Sequence, residues 1–370
     1  MAHEQNQDND KRSMFLKVFS LFVILYFFLY SINLLGHSFK LFGSGFTERL
    51  LTTTANPFLG LFLGIVSTSV IQSSSTTTSI IVCLVAAGGL SLQNAIPMIM
   101  GANIGTTVTN ALVSFGHATR RAEFSRAFSA AIIHDLFNTM SVIVLFPVEL
   151  KFRIIEKTAT VVDKYFVGMG GMQLFNPVKF IISPAIKATD YIMGAIPYAP
   201  VIMLVLALVI LFASLALLVK TIRAMVLGRV ERIIDRYLFG KDGISFLLGL
   251  VITAIVQSSS VTTSLLVPLA GAGILTVRQV YPYTLGANIG TTVTAIIAAL
   301  ATGNTVAVTV AFSHLFFNIF GIAIFYPLRV LPISLAMRIG RFSGKSQKHV
   351  YIVIGIFLTV YIVPLLLFIL

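Results

Sequence analysis

Along most of the chain the apolar residues fall in blocks of about 20 or more, the length a helix needs to cross a hydrocarbon core about 30 Å thick. Such blocks at 91–115, 124–147, 199–219, 276–301, 305–328 and 350–370, with one more after residue 13, read as spanning helices. Two further blocks differ, because each is cut by a polar run: TSVIQSSSTTTS at 68–79 and TAIVQSSSVTTS at 253–264. The apolar arms beside these runs (58–71 and 80–88; 244–256 and 265–273) hold about 9–14 residues, a reach of roughly 13–21 Å as helix. Neither arm spans alone. Each block therefore predicts a helical hairpin, 58–88 and 244–273, that enters partway and returns with QSSS at its tip. Non-helical backbone at that depth is tolerated where it is buried in protein or faces water. The alternative is one long helix with a polar stripe, since Ser and Thr also serve ordinary helix–helix contacts.

The two blocks are copies. Gln72 and Gln257 lie 185 residues apart, as do Asn103 and Asn288, and residues 72–109 align on 257–294 without a gap. HDLFN at 134–138 pairs with HLFFN at 314–318, each followed nine residues on by Pro147 or Pro327. The first unit covers 57–148 and the second 243–330. Around them stand a tail (1–13), a first helix and connector (14–56), a linker (149–197), a helix with a basic loop (198–242), and a closing loop and helix (331–370).

Charge then orients the chain. It is 57% hydrophobic and only 11% charged, with a net charge of +13. The surplus sits in short segments beside apolar blocks, at 117–126, 220–241 and 338–349, which is the signature of cytoplasmic loops rather than of nucleic-acid binding. The apolar run after the basic start is long enough to span and is followed by no A-x-A site, so it reads as an uncleaved helix rather than a signal peptide. With the N-terminus inside, counting spans puts all three basic segments inside, the linker outside, and the two hairpins entering from opposite faces. The expected fold is an all-α polytopic membrane protein. Its two inverted-topology repeats each hold a re-entrant hairpin and a broken helix, the plan of secondary transporters. Cys83 is the single cysteine, so no internal disulfide forms.

Opposed tips would bring Gln72, Ser73, Ser74, Ser75 and Gln257, Ser258, Ser259, Ser260 together near the bilayer centre. Hydroxyls, amides and the free N–H groups of a helix start suit an oxyanion. No Lys or Arg lies in these stretches, and burying an unpaired anion costs several kcal/mol, so cations must accompany it. GANIGTTVT, at 101–109 and 286–294, offers Asn103, Thr106, Thr107, Asn288, Thr291 and Thr292 as oxygen ligands for a hard ion such as Na⁺. A GxxxG packing face is the other reading of its glycines. Asp135, where the second unit has Leu315, is an intramembrane carboxylate and so a further sodium ligand, against the plainer reading of a local pair with His134 or a loop Arg. His134, His314, Asn138 and Asn318 read as hydrogen-bonding groups between helices.

The paired QSSS hairpins, the paired GANIGTT segments and RAFSAAIIHDLFNTMSVIVLFPVE (126–149) closely resemble the type II sodium-dependent phosphate cotransporters over roughly residues 50–365. The resemblance implies an alternating-access symporter that takes in HPO₄²⁻ with sodium as the coupling ion, without another cofactor, in the cell membrane. It implies that the QSSS residues line the phosphate site. The A-x-A-x-x-x-D arrangement of electrogenic members reads here as Ser129, Ala131 and Asp135, with Ser in its first place. The linker carries neither cysteine nor an N-x-[ST] site, unlike animal members, which suggests a compact bacterial one. A passive anion channel, or a symporter for another oxyanion, is the alternative. An enzyme is disfavoured, because no nucleophile–base pair is clearly placed. Phosphate, sodium and the lipid bilayer are the expected partners; the oligomeric state is open, a homodimer among the choices.

Overall fold

The computed structural model describes residues 2–43, 45, 51–52, 55–168, 176–194, 196–237 and 241–369, with side chains throughout except at 2–15, 176–179, 222–237 and 360–369. Among the described residues all regular structure is helical. Six stretches are long and apolar enough to cross a membrane: Leu16–Leu41, Leu92–Phe115, Arg121–Phe152, Ala199–Thr221, Val277–Thr302 and Thr305–Phe325.

The first unit opens with α2 (Pro57–Ile71) and α3 (Ser74–Ala86), which follow α1 (Ala2–Leu41) and its connector. Then come α4 (Leu92–Gly105), α5 (Val108–Phe115) and α6 (Arg121–Phe152). After α7 (Ile154–Gly168), α8 (Asn176–Met193) and α9 (Ala199–Tyr237), the second unit repeats the order. Its elements are α10 (Asp242–Val256), α11 (Ser259–Ser264), α12 (Leu266–Gly271), α13 (Val277–Thr302) and α14 (Thr305–Phe325). The chain closes with α15 (Val330–Ser343) and α16 (Gln347–Ile369). Both polar blocks are helix–turn–helix, as the arm lengths required, and not single striped helices. The second arm is one helix in the first unit and two in the second. Pro268 stands where the first unit has Cys83; its missing N–H and its ring against the Ser264 carbonyl interrupt the helix at Leu265.

Glycine sets the closest approach in the fold. A Cβ on Gly101 would run into the Leu61 carbonyl, and one on Gly64 into that of Met98, so α2 and α4 touch backbone to backbone. The second unit repeats this with Gly286 on Phe246 and Gly249 on Tyr283. At Gly105 and Gly290 a Cβ would lie 2.5 Å from the carbonyl oxygens of Ile65 and Leu250. The GANIG glycines are therefore packing residues, and each hairpin's first arm is locked to the long helix that follows. The second arms cross over: α3 packs on α13, and α12 packs on α6.

Three segments expected to be loops are helical. The linker 149–197 folds into α7 and α8, which bury Ile155, Ala159 and Ile182 and, of their charged residues, Asp163; residues 169–175 and 195 of it lie outside the described set. The basic segment from 220 continues α9 without a break to Tyr237, leaving 238–240 outside the described residues. The segment after Arg329 forms α15, with Ile333, Ala336 and Gly340 buried against α6. α7, α8 and α15 are amphipathic helices whose charged residues lower their hydropathy below that of a spanning block. The tail 1–13 is helical from Ala2 and runs into α1.

Candidate functional site

The hairpin tips are built alike. Gln72 ends α2 in the left-handed region (φ 55°), its N–H bonded to the Thr68 carbonyl at 2.7 Å; Gln257 ends α10 the same way (φ 60°, Thr253 carbonyl, 2.7 Å). Ser73 and Ser258 then cap the next helices, accepting the N–H of Thr76 (3.2 Å) and of Val261 (3.3 Å). A left-handed residue followed by an extended serine cap turns the chain within two positions and aims two fresh helix N-termini into the core.

The two tips meet. The Ser75 hydroxyl donates to the Gln257 carbonyl at 3.1 Å. Ser260, its counterpart, donates instead to the Thr106 carbonyl at 3.4 Å. The Gln257 side chain is tucked in, accepting from Thr294 (2.7 Å) and donating to the Ala254 carbonyl (2.5 Å), whereas Gln72 is exposed. Asn110 and Thr263 bridge the units by two side-chain contacts, 2.9 and 3.1 Å. Asn110 and Thr294 were not singled out from the sequence; the one signal was that Asn110 follows GANIGTTVT directly, where the second unit has Ala295. Among the described residues the hydroxyls of Ser74 and Ser259, both buried, have no hydrogen-bond partner. The first and third serines of each QSSS thus hold the structure, and the middle one is left with its donor uncommitted.

The nine residues GANIGTTVT occur twice and fold in two ways. In the second unit they lie inside the continuous α13; in the first the helix is interrupted at Thr106–Thr107, between α4 and α5. The nine residues are identical, and the residue that follows them is not: Asn110 in the first unit, Ala295 in the second. The partner side chains differ too: Thr107 donates to Asp135 at 3.0 Å, and the Thr106 carbonyl, left without the N–H of Asn110, accepts from Ser260. The second unit has Leu315 in place of Asp135. Thr106, Thr291 and Thr292 return their hydroxyls to carbonyls of their own helices, of Ala102, Ala287 and Ile289, and Thr107 shares its proton between Asp135 and the Ile104 carbonyl at 2.8 Å. The expected broken helix is therefore present in one unit only.

Asn103 and Asn288, expected as sodium ligands, have their side-chain oxygens in hydrogen bonds between the units. His134 donates from Nε2 to the Asn288 side-chain oxygen at 2.6 Å, and His314 reaches that of Asn103 at 3.3 Å, a reciprocal exchange between the units. Asn138 donates to the Asn103 carbonyl (2.7 Å) and accepts from the Asn288 amide (2.8 Å). All five side chains are buried. Both asparagine oxygens are engaged by histidine, so these residues knit helices together, as expected of His134, His314 and Asn138. Thr106, Thr107 and Asp135 present hydroxyl, carbonyl and carboxylate oxygens close to the tips, the kind of oxygens suited to a hard cation.

Membrane-length helices packed with two touching, polar helix–turn–helix segments define a polytopic helical membrane protein with an internal polar site. The chain belongs to the Na⁺/Pi-cotransporter family, whose sequence model matches residues 27–174 and 210–330. It is similar to sodium-dependent phosphate transport protein 2B of Pongo abelii, 32% identical over 440 aligned residues that cover 93% of this chain and 64% of that protein. The 2B protein of Homo sapiens gives the same figures. Sodium-dependent phosphate transport protein 2A of Rattus norvegicus is also 32% identical, over 94% of this chain and 68% of its own length. The chain thus spans about two thirds of these relatives, and no solved structure matches it.

Proposed function

We propose that this chain is a sodium-coupled symporter that imports inorganic phosphate, with the phosphate held between the QSSS tips. The observation that carries the reading is the contact from Ser75 to the Gln257 carbonyl at 3.1 Å, because it supports one shared site rather than two separate turns. Ser74 and Ser259 would donate to phosphate oxygens, supported by the N-termini of α3 and α11 and their partial positive charge. Donors alone do not offset the desolvation of a doubly charged anion, so sodium enters with it. Thr106, Thr107 and Asp135 are the ligands we assign to one sodium ion. Since Asp135 has no counterpart in the second unit, that ion is held on one side only, and transport moves net charge.

The duplicated units, read as oppositely oriented with the hairpins re-entering from opposite faces, support alternating access around a fixed site. The N-terminus lies in the cytoplasm and the chain in the cell membrane. Purified protein in liposomes should take up ³²P-phosphate when sodium is high outside. Sulfate should compete poorly, and preloaded phosphate should drive counterflow. Uptake that ignores sodium, or that shows no counterflow, refutes the symporter reading.

A further inference from the structure

Two of the basic segments, 117–126 and 338–349, converge in space. Arg120, Arg121 and Arg126 of the first and Arg341 and Lys345 of the second line an open groove of about 850 Å³, where α6 begins and α15 ends. Glu123 is the one carboxylate in its wall, and it is already engaged by Arg120 at 3.1 Å and His117 at 3.3 Å. Arg126 donates twice to the Gly271 carbonyl (2.9 and 2.6 Å), and Arg341 once to that of Met337 (3.3 Å). Five donors on each guanidinium outnumber these contacts. α6 also starts here without a side-chain cap from Arg120, so the partial positive charge of its N-terminus adds to theirs. Single basic residues beside a spanning helix are ordinary. Five of them gathered from two distant segments around one groove make an anion site.

Phe342 joins this groove to a second space. The Lys345 ammonium lies over its ring, 5.7 Å from the centroid. The same ring lines a cavity of about 580 Å³ together with Phe128 and Ile132 of α6, Ile339 of α15 and Phe357 of α16. Ser69, Asp135 and Thr139 are the polar side chains in its wall, and Asp135 is hydrogen-bonded by Thr107 at 3.0 Å. Along α6 the step from groove to cavity is the single turn from Ser125 to Phe128. At the mouth Ile356 is 58% exposed and Phe342 40%, so the cavity opens on the outer surface of the helices, the side that lipid covers. The two linked spaces select a molecule with two ends. A soluble phosphate would meet the arginines and leave the apolar walls unfilled, and a neutral lipid would fill the walls and leave the groove without its anion. We infer that groove and cavity together bind one anionic phospholipid, its phosphate on Arg341 and Lys345 and one acyl chain passing Phe342 into the cavity. On the topology counted from the basic segments this is the cytoplasmic leaflet, whose anionic lipids are drawn to basic pockets between helices. The assignment uses the cationic groove and the apolar walls, and holds whether or not Asp135 binds sodium.

Native mass spectrometry of the full-length protein in detergent, titrated with dioleoyl phosphatidic acid, counts the bound lipid. One molecule should bind about tenfold more tightly than dioleoyl phosphatidylcholine, which has the same chains and no net charge. Arg341→Gln with Lys345→Gln, both at exposed positions, should remove about that tenfold preference and leave phosphatidylcholine binding unchanged. Arg341→Lys with Lys345→Arg keeps both charges and should bind as the wild type. Ile356→Trp fills the mouth of the cavity from an exposed position and should weaken phosphatidic acid with the basic groove intact. Equal binding of the two lipids, or unchanged phosphatidic acid binding in the Gln pair or in Ile356→Trp, overturns the proposal. Glycerol 3-phosphate, the headgroup without chains, separates the two sources of phosphate. It should fail to displace the lipid at equal concentration; displacement would make the groove a site for soluble anions and overturn the lipid assignment.

Discussion

His134 and Asn288 come from different copies of the repeat, 154 residues apart, and are joined at 2.6 Å in a fully enclosed position. The bond is one half of an exchange completed by His314 and Asn103. Asn288→Ala should strand the His134 N–H and the Asn138 oxygen, at about 1–3 kcal/mol for each buried group left unpaired. A double-mutant cycle with His134→Ala, followed by thermal unfolding in detergent, should give a coupling of about 0.5–3 kcal/mol. Additive effects would mean that the two units are held together elsewhere.

Ser74 and Ser259 offer the free donors at the tips. Ser74→Ala or Ser259→Ala should weaken phosphate binding by about 1.5–3 kcal/mol, one charge-assisted hydrogen bond, without lowering the unfolding temperature. Ser73→Ala should instead cost stability, about 1 kcal/mol, since it removes a helix cap. Wild-type phosphate affinity in both middle-serine variants would take QSSS out of the site.

Asp135→Asn should lower the charge moved per phosphate by about one and weaken the dependence on voltage, which is worth about 2.3 kcal/mol per charge per 100 mV. Thr107→Val, removing the 3.0 Å bond to the carboxylate, should lower sodium affinity in the same direction. Full phosphate-induced current with unchanged sodium cooperativity in Asp135→Asn would leave the aspartate a purely structural role.

Orientation can be read with thiols, because the single native cysteine, Cys83, is buried. Tyr191 is 90% exposed on α8, and a cysteine there should react with an impermeant maleimide from outside intact cells. A cysteine at the exposed Lys345 should react only after permeabilisation. The opposite pattern would reverse the topology.

Asp163, on α7 outside the membrane-length helices, is buried and accepts from Thr309 at 2.9 Å. Burial pushes its carboxyl above the ordinary range, and the Thr309 bond offsets this only in part. The folded state therefore binds the proton more tightly than the unfolded chain. The stability this contributes is complete below about pH 3.9 and lost as pH rises through the folded value. Asp163→Asn keeps an oxygen for Thr309 and removes the charge. It should raise the unfolding temperature at pH 7, with the advantage fading towards pH 4. A constant offset at every pH would exclude titration of Asp163 as its source.

Much of this was legible in the chain itself. The polar runs marked where the two apolar blocks break, with Gln72 and Gln257 at the turns between their helices. The amphipathic helices α7, α8 and α15 were not legible, since charged faces hide a helix from a search for uniform apolar runs. Nor was the fate of GANIGTTVT. Its break at Thr106–Thr107 is met by Asp135 and Ser260, which reach it from elsewhere in the chain, and the nine-residue pattern carries no trace of them.

The glycine contacts carry a chronology. Gly64, Gly101 and Gly105 recur at 249, 286 and 290 and press on matching carbonyls in both copies. Independent origin of three such matched contacts would be a coincidence; a single ancestral half that already had them explains all three. The locked pair of helices is therefore older than the doubling of the chain. The difference between Asp135 and Leu315 arose after it. The two halves inherited one rigid frame and then diverged in charge.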